Sequence, residues 1–179
     1  QVDKGLYKHY MQKEIFEQPQ AIRDTLESRV TKNQVVVSAF GNNANRTFNE
    51  IQQIQIVACG TSYHAGIVAK YWLEDIAKIP CNIEVASEYR YRRPIILSKT
   101  LFVTLSQSGE TADTLEALKT AKEIKNNIQA LCITNSLESS LSRISDLTFI
   151  THAGPEIGVA STKAFTSQLV ALALLTCAI

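Results

Sequence analysis

From about residue 50 onward, apolar and polar stretches alternate with a regular beat. Five runs are short, apolar and rich in β-branched residues: 54–59, 81–86, 101–105, 129–134 and 147–150. Such runs between turn signals predict buried strands. Between them, apolar residues recur at helical spacing. Residues 63–79 predict a helix with Ile67, Tyr71 and Trp72 on its apolar face, closed by Pro80. Ala112, Leu115 and Leu118 mark a second helix. Residues 139–144 predict a short serine-capped helix, and residues 161–177 a long apolar one capped by Ser161 or Thr162. This rhythm predicts an α/β fold, a three-layer sandwich around a five-stranded parallel sheet. Five strands in one such unit favour the flavodoxin-like order 2-1-3-4-5.

Residues 1–49 break the beat. Leu6, Tyr10, Ile15 and Phe16 among Lys, Gln and Glu predict an amphipathic helix over 6–17. Pro19 suits the start of a second short helix through Ala21, Ile22 and Leu26. Residues 29–49 are polar, with a turn at Gly41-Asn42-Asn43 and a short helix or edge piece near 35–40. The expected organisation is a helical leader, residues 1–49, packing on a domain of residues 50–179. The chain lacks a starting methionine and stops inside an apolar helical pattern, so a piece of a longer protein is expected.

Composition narrows the partners. A hydrophobic fraction of 45% and a charged fraction of 20% suit a soluble globular chain. The net charge of +1, without a long basic run, does not indicate a nucleic-acid surface. The N-terminal residues are too polar for a signal peptide, and the apolar tail from Leu169 is too short to span a bilayer, so no membrane partner is expected. Cys59, Cys81, Cys132 and Cys177 are widely spaced, and His9, His64 and His152 show no ligand spacing, so neither a metal nor a cofactor is expected. Buried reduced thiols fit a cytoplasmic protein.

The chemistry concentrates at two strand ends. After the third strand the chain reads Ser106-Gln107-Ser108-Gly109-Glu110-Thr111, and then a helix begins. A helix N-terminus has unsatisfied N–H donors and partial positive charge, which makes it an anion site. Gly109 allows a sharp turn and close approach to a ligand. The plain alternative is an ordinary N-cap, but a cap needs only one hydroxyl. Cys59-Gly60-Thr61-Ser62 follows the first strand. In the expected order the first and third strands are neighbours, and their C-terminal ends flank the switch point where open α/β sheets bind ligands. Neither loop contains Lys or Arg, and neither a P-loop nor a G-x-G-x-x-G follows a strand. A cup of neutral donors suits one monoester phosphate on a small hydroxyl-bearing molecule.

Other candidates have plainer readings. Cys59 could be a nucleophile near a helix N-terminus, but a strand-end cysteine more often packs. His64 opens a helix, where a surface or capping role is the simpler one. The cluster Glu88-Tyr89-Arg90-Tyr91-Arg92-Arg93 reads equally as a subunit contact or a solvated loop. Residues 151–163, THAGPEIGVASTK, are long and rich in small residues, which predicts a functional loop closing over the site edge. Within it Glu156 and Lys163 could do chemistry or form a surface pair.

Cys59–Ser62, SQSGET at 106–111 and EIGVASTKAFT at 156–166 together resemble the sugar isomerase (SIS) domain of the glutamine–fructose-6-phosphate aminotransferase family. YKHYMQKEIFEQP and ASEYRYR are similar to the same family's sequences, so the likeness spans nearly the whole chain. The resemblance implies the first of two SIS domains with the linker before it. In that family a glutaminase releases ammonia, and the two SIS domains use it to turn fructose 6-phosphate into glucosamine 6-phosphate. It implies that Ser106, Gln107, Ser108 and Thr111 hold the sugar phosphate and that Thr61, Ser62, Val159 and Ser161 line the sugar site. It also implies a homodimer as the assembly. The family's catalytic Glu, His, Lys and Cys fall outside this chain, so no catalytic residue is carried over, and the chain alone is expected to bind without turning over. Two other classes remain: a sugar-phosphate-sensing SIS module of a regulator, and a flavodoxin-type redox module.

Overall fold

The structure, a computed structural model, describes residues 3–179; the first two residues of the expected leader lie outside them. Five strands form one sheet: β1 (Gln53–Ala58), β2 (Cys81–Val85), β3 (Thr100–Ser106), β4 (Gln129–Thr134) and β5 (Leu147–Ile150). Every pairing is parallel and the order is β2-β1-β3-β4-β5, as the strand–helix rhythm predicts. Every residue of β3, the central strand, is buried, which explains its unbroken run of Leu, Phe, Val and Thr.

The helices are α1 (Tyr10–Leu26), α2 (Ala44–Glu50), α3 (Gly60–Asp75), α4 (Ala86–Tyr89), α5 (Ala112–Ile124), α6 (Ser140–Ile144) and α7 (Lys163–Ala178), with a 3₁₀ turn at Val37–Phe40. Alternation along the strands divides the core. Ile54, Ile56, Leu101, Val103 and Leu105 meet α3 and α7 on one face. Val57, Phe102 and Cys132 meet α4, α5 and α6 on the other. Phe40, from the 3₁₀ turn, is wholly buried against Phe48 (5.4 Å between ring centroids) and Phe149 (4.8 Å), so the residues before β1 contribute to the same core.

Three local expectations need correction. The leader does not break at Pro19: α1 runs through it. Proline cannot donate to the carbonyl four residues back, which is that of Ile15. The Gln18 side chain fills the gap, its Nε2 donating to Ile15 O at 3.0 Å. The large apolar residues in the first half of α1 also face outward. Met11, Ile15 and Phe16 are exposed, and Leu6 lies before the helix, whereas Glu14, Ala21 and Thr25 are buried. On α3 the buried face is Ala65, Gly66, Ala69 and Leu73; Tyr71 is exposed. Small residues let that helix lie close to the sheet.

The Glu88–Arg93 cluster is tied into the fold. Tyr89 is buried edge-on against Phe102, Arg90 pairs with Asp113 at 2.7 Å, and Arg92 forks onto Glu84. Of the four free thiols, Cys81 and Cys132 are buried, and burial pushes both up to about 12. Cys59 is half-buried and Cys177 exposed, so the expectation of buried thiols holds for two. Among the described residues no helix is long and apolar enough to cross a membrane.

Replacing Phe40 with Ala removes a buried ring from a cluster of three. The variant should lose about 3–5 kcal/mol of unfolding free energy, read from the denaturant midpoint at unchanged slope.

Candidate functional site

The register of β1 with β3 sets Ala58 beside Leu105. The loops Cys59–Ser62 and Ser106–Thr111 therefore leave neighbouring strands at one level, and α3 and α5 start from that end of the sheet onto its two opposite faces. Neither helix has a side-chain cap at its N-terminus. In α5 the first turn of N–H groups precedes the first intrahelical bond, from Leu115 N to Thr111 O at 2.9 Å. The capping alternative is therefore not what Thr111 does.

The cup is folded on itself and braced from below. Ser106 Oγ is buried, accepts from Gly109 N at 3.0 Å and lies 2.8 Å from Thr111 Oγ1. Ser108 Oγ accepts from Glu110 N at 3.2 Å. Gly109 sits at φ +68, where a side chain strains the backbone, and a Cβ there would lie 2.1 Å from Ser139 Oγ. Its carbonyl accepts from Leu141 N at 3.1 Å. Glu110 Oε1 accepts from Ser140 N at 2.7 Å, and hydrogen bonds from Ser140 hold its carboxyl below the usual range. The one ionisable side chain of the cup is thus turned toward α6.

Asn135, at the tip of β4, joins the cup to the loop after β5, a role the sequence reading missed. Its backbone N donates to Gln107 O at 3.0 Å, its Oδ1 accepts from Ala153 N at 2.8 Å, and its Nδ2 donates to Gly154 O at 2.8 Å. An asparagine after a strand looks like any turn residue, so nothing local signals this.

Residues 151–163 do not contain the expected Glu156–Lys163 pair. Glu156 caps α7: its Oε1 accepts from Thr162 N at 2.7 Å and Ala164 N at 3.3 Å, and its Oε2 from Ser161 Oγ at 3.1 Å. A carboxylate satisfies the free N–H groups of a helix start and favours its dipole, so neither Ser161 nor Thr162 is needed as a cap. Lys163 is buried and bonds Glu17 of α1 at 2.7 Å. That contact spans 146 residues and no spacing rule could have found it.

The candidate residues therefore fall into three groups. Ser106, Gln107, Ser108 and Thr111 share the cup, with the Ser106 and Thr111 hydroxyls in contact. Thr61, exposed, and Ser62, half-buried, stand at the neighbouring strand tip. Val159 is fully exposed on the third loop, where Ser161 turns its hydroxyl to Glu156; this loop reaches the cup through Asn135. His64 is exposed on α3, edge-on to Tyr63. His152 lies at φ +53, its imidazole lowered by burial and then by Arg29. Among the described residues no group of three His, Cys, Asp or Glu could hold a metal. A cavity of about 500 Å³ lies at the opposite ends of the strands, lined in part by Arg46, Lys99 and Lys125, away from the tips where open sheets bind ligands.

Comparison with known proteins agrees with this fold. The SIS domain profile matches residues 47–178. The chain belongs to the SIS domain family. It is 62% identical over 174 residues to the glutamine–fructose-6-phosphate aminotransferase (isomerizing) of Pseudomonas syringae pv. tomato, which covers 97% of this chain and 28% of that protein. It therefore spans well under a third of that relative's length. Among solved structures, the C-terminal domain of glucosamine-fructose-6-phosphate aminotransferase from Francisella tularensis superposes with a TM-score of 0.93 at 52% identity, over 98% of this chain and 49% of that one. Glucosamine-6-phosphate deaminase from Thermotoga maritima superposes at 0.73 with 25% identity, over 94% of this chain and 48% of that one.

In this SIS domain the Glu17–Lys163 contact carries a pH signature. A hydrogen bond from Lys163 holds the Glu17 carboxyl below its ordinary value of 4.5. A lowered folded value contributes stability that is fully present above 4.5 and lost as pH falls through the lower folded value. Glu17→Gln should lower stability at pH 7 by roughly 1–3 kcal/mol, less than for a fully buried pair because Glu17 is partly exposed. Denaturation over a pH series should show the gap from wild type closing below 4.5.

Proposed function

We propose that this chain holds the phosphate of fructose 6-phosphate or glucosamine 6-phosphate, as the first half of the isomerase part of a larger enzyme. That enzyme makes glucosamine 6-phosphate from fructose 6-phosphate and glutamine-derived ammonia. The observation that carries the reading is the pairing of two uncapped helix N-termini at adjacent strand tips, one of them curled into a hydroxyl cup. The 62% identity to an aminotransferase of this name supports the substrate class.

In this reading Ser106, Gln107, Ser108 and Thr111 donate to the phosphate oxygens from side chains and backbone. Two helix dipoles add positive potential without a lysine or arginine. Thr61, Ser62, Val159 and Ser161 line the sugar. Residues 1–49 act as a leader on the domain of residues 50–179. A glutaminase and a second SIS domain complete the chain, which works as a cytoplasmic homodimer. The cup has no free acid–base pair, because Glu110 is engaged by Ser140, so this chain by itself binds and does not turn over.

Calorimetry with fructose 6-phosphate tests the cup. A hydrogen bond to a charged group is worth roughly 1.5–3 kcal/mol. Ser108→Ala and Thr111→Ala should each weaken binding roughly tenfold or more. Unchanged affinity in both would place the phosphate elsewhere. Glucosamine 6-phosphate formed from fructose 6-phosphate and ammonia by this chain alone would refute the division of labour.

A further inference from the structure

We infer that Glu14 of α1 is a positioning residue for the sugar-facing loop, fixing the backbone at Ile157 and Gly158 and so presenting Val159 and Ser161 to the ligand. This rests on the proposed reading of the site. Glu14 is 3% exposed, an unusual place for a carboxylate. Its Oε1 accepts from Ile157 N at 2.6 Å and Gly158 N at 3.1 Å, and its Oε2 accepts from Gly158 N at 3.1 Å. A buried carboxylate is costly unless hydrogen bonds satisfy it, and an apolar residue would pack α1 as well. What the carboxylate supplies instead is a grip on two consecutive backbone amides.

The loop is shaped to accept that grip. A Cβ on Gly158 would lie 2.5 Å from Glu14 Oε2 and 3.4 Å from Met11 Cα, so the strand of loop lies directly against the helix. Beyond Gly158, the next fixed point is Ser161, held by Glu156. Only Val159 and Ala160 span the interval, which leaves Val159 at the apex with its side chain wholly in solvent. Helix α1 also holds both ends of the segment: Thr25 Oγ1 donates to Thr151 O at 2.6 Å, and Glu17 holds Lys163. Glu14 bonds nothing in the cup, and the bonds that join this segment to the cup, through Asn135, fall at Ala153 and Gly154, outside the stretch that Glu14 grips.

Hydrogen exchange and calorimetry on Glu14→Ala and Glu14→Gln test this together. In Glu14→Ala the amides of Ile157 and Gly158 should exchange at least about tenfold faster, while Gly109 is unchanged. Fructose 6-phosphate should bind about tenfold or more weakly, with inorganic phosphate binding unaltered. Glu14→Gln keeps one acceptor oxygen and should recover part of both effects. Gly158→Ala should mimic Glu14→Ala, and the two together should be no worse than either alone. Wild-type exchange or affinity in Glu14→Ala, or equal loss of inorganic phosphate, overturns the inference. Failure of the wild-type chain to bind any sugar phosphate overturns the functional reading instead, and the exchange rates still decide whether Glu14 holds the loop.

Discussion

Parallel pairing of β1 with β3 obliges the chain to begin α3 and α5 at the same end of the sheet, one on each face. In an antiparallel pair the two helix starts would lie at opposite ends of the sheet. Here both sets of free N–H groups point from the same edge, and their dipoles add rather than cancel. Everything else at that edge shapes the resulting field. Gly109 bends the cup under α6 at a distance no side chain permits, Ser140 draws the nearest negative charge aside, and Asn135 ties the loop after β5 to the cup.

The strands were legible in the sequence to within a residue or so at most ends, because β-branched apolar runs have few other uses in a chain of this polarity. The cup was legible for a related reason: a run of hydroxyls at a strand-to-helix junction is dense local information. The leader was not. Its outward apolar face and inward carboxylates invert the usual amphipathic rule, since its partners are the amides and lysine of a loop some 143 to 146 residues away. Pro19 misleads in the same way. The rule that proline ends a helix assumes an unpaired carbonyl, and Gln18 supplies the missing donor.

Glu156 shows how a correct composition can suggest a wrong partnership. Glutamate and lysine seven residues apart on one loop invite an ion pair. The structure uses each against a backbone or a distant element instead: Glu156 on the start of α7, Lys163 on α1. Both choices serve one end, a loop whose irregular backbone is held at many points although it has no ladder of its own.

The joint between α1 and α7 has a mechanical consequence. Lys163 is enclosed, and Glu17 is the carboxylate that meets it. Sliding α1 by a single turn would carry that carboxylate about 5 Å along the axis and strand an ammonium in the interior. That one joint therefore sets the register of α1 along α7, since any slide parts the enclosed ammonium from its counter-charge.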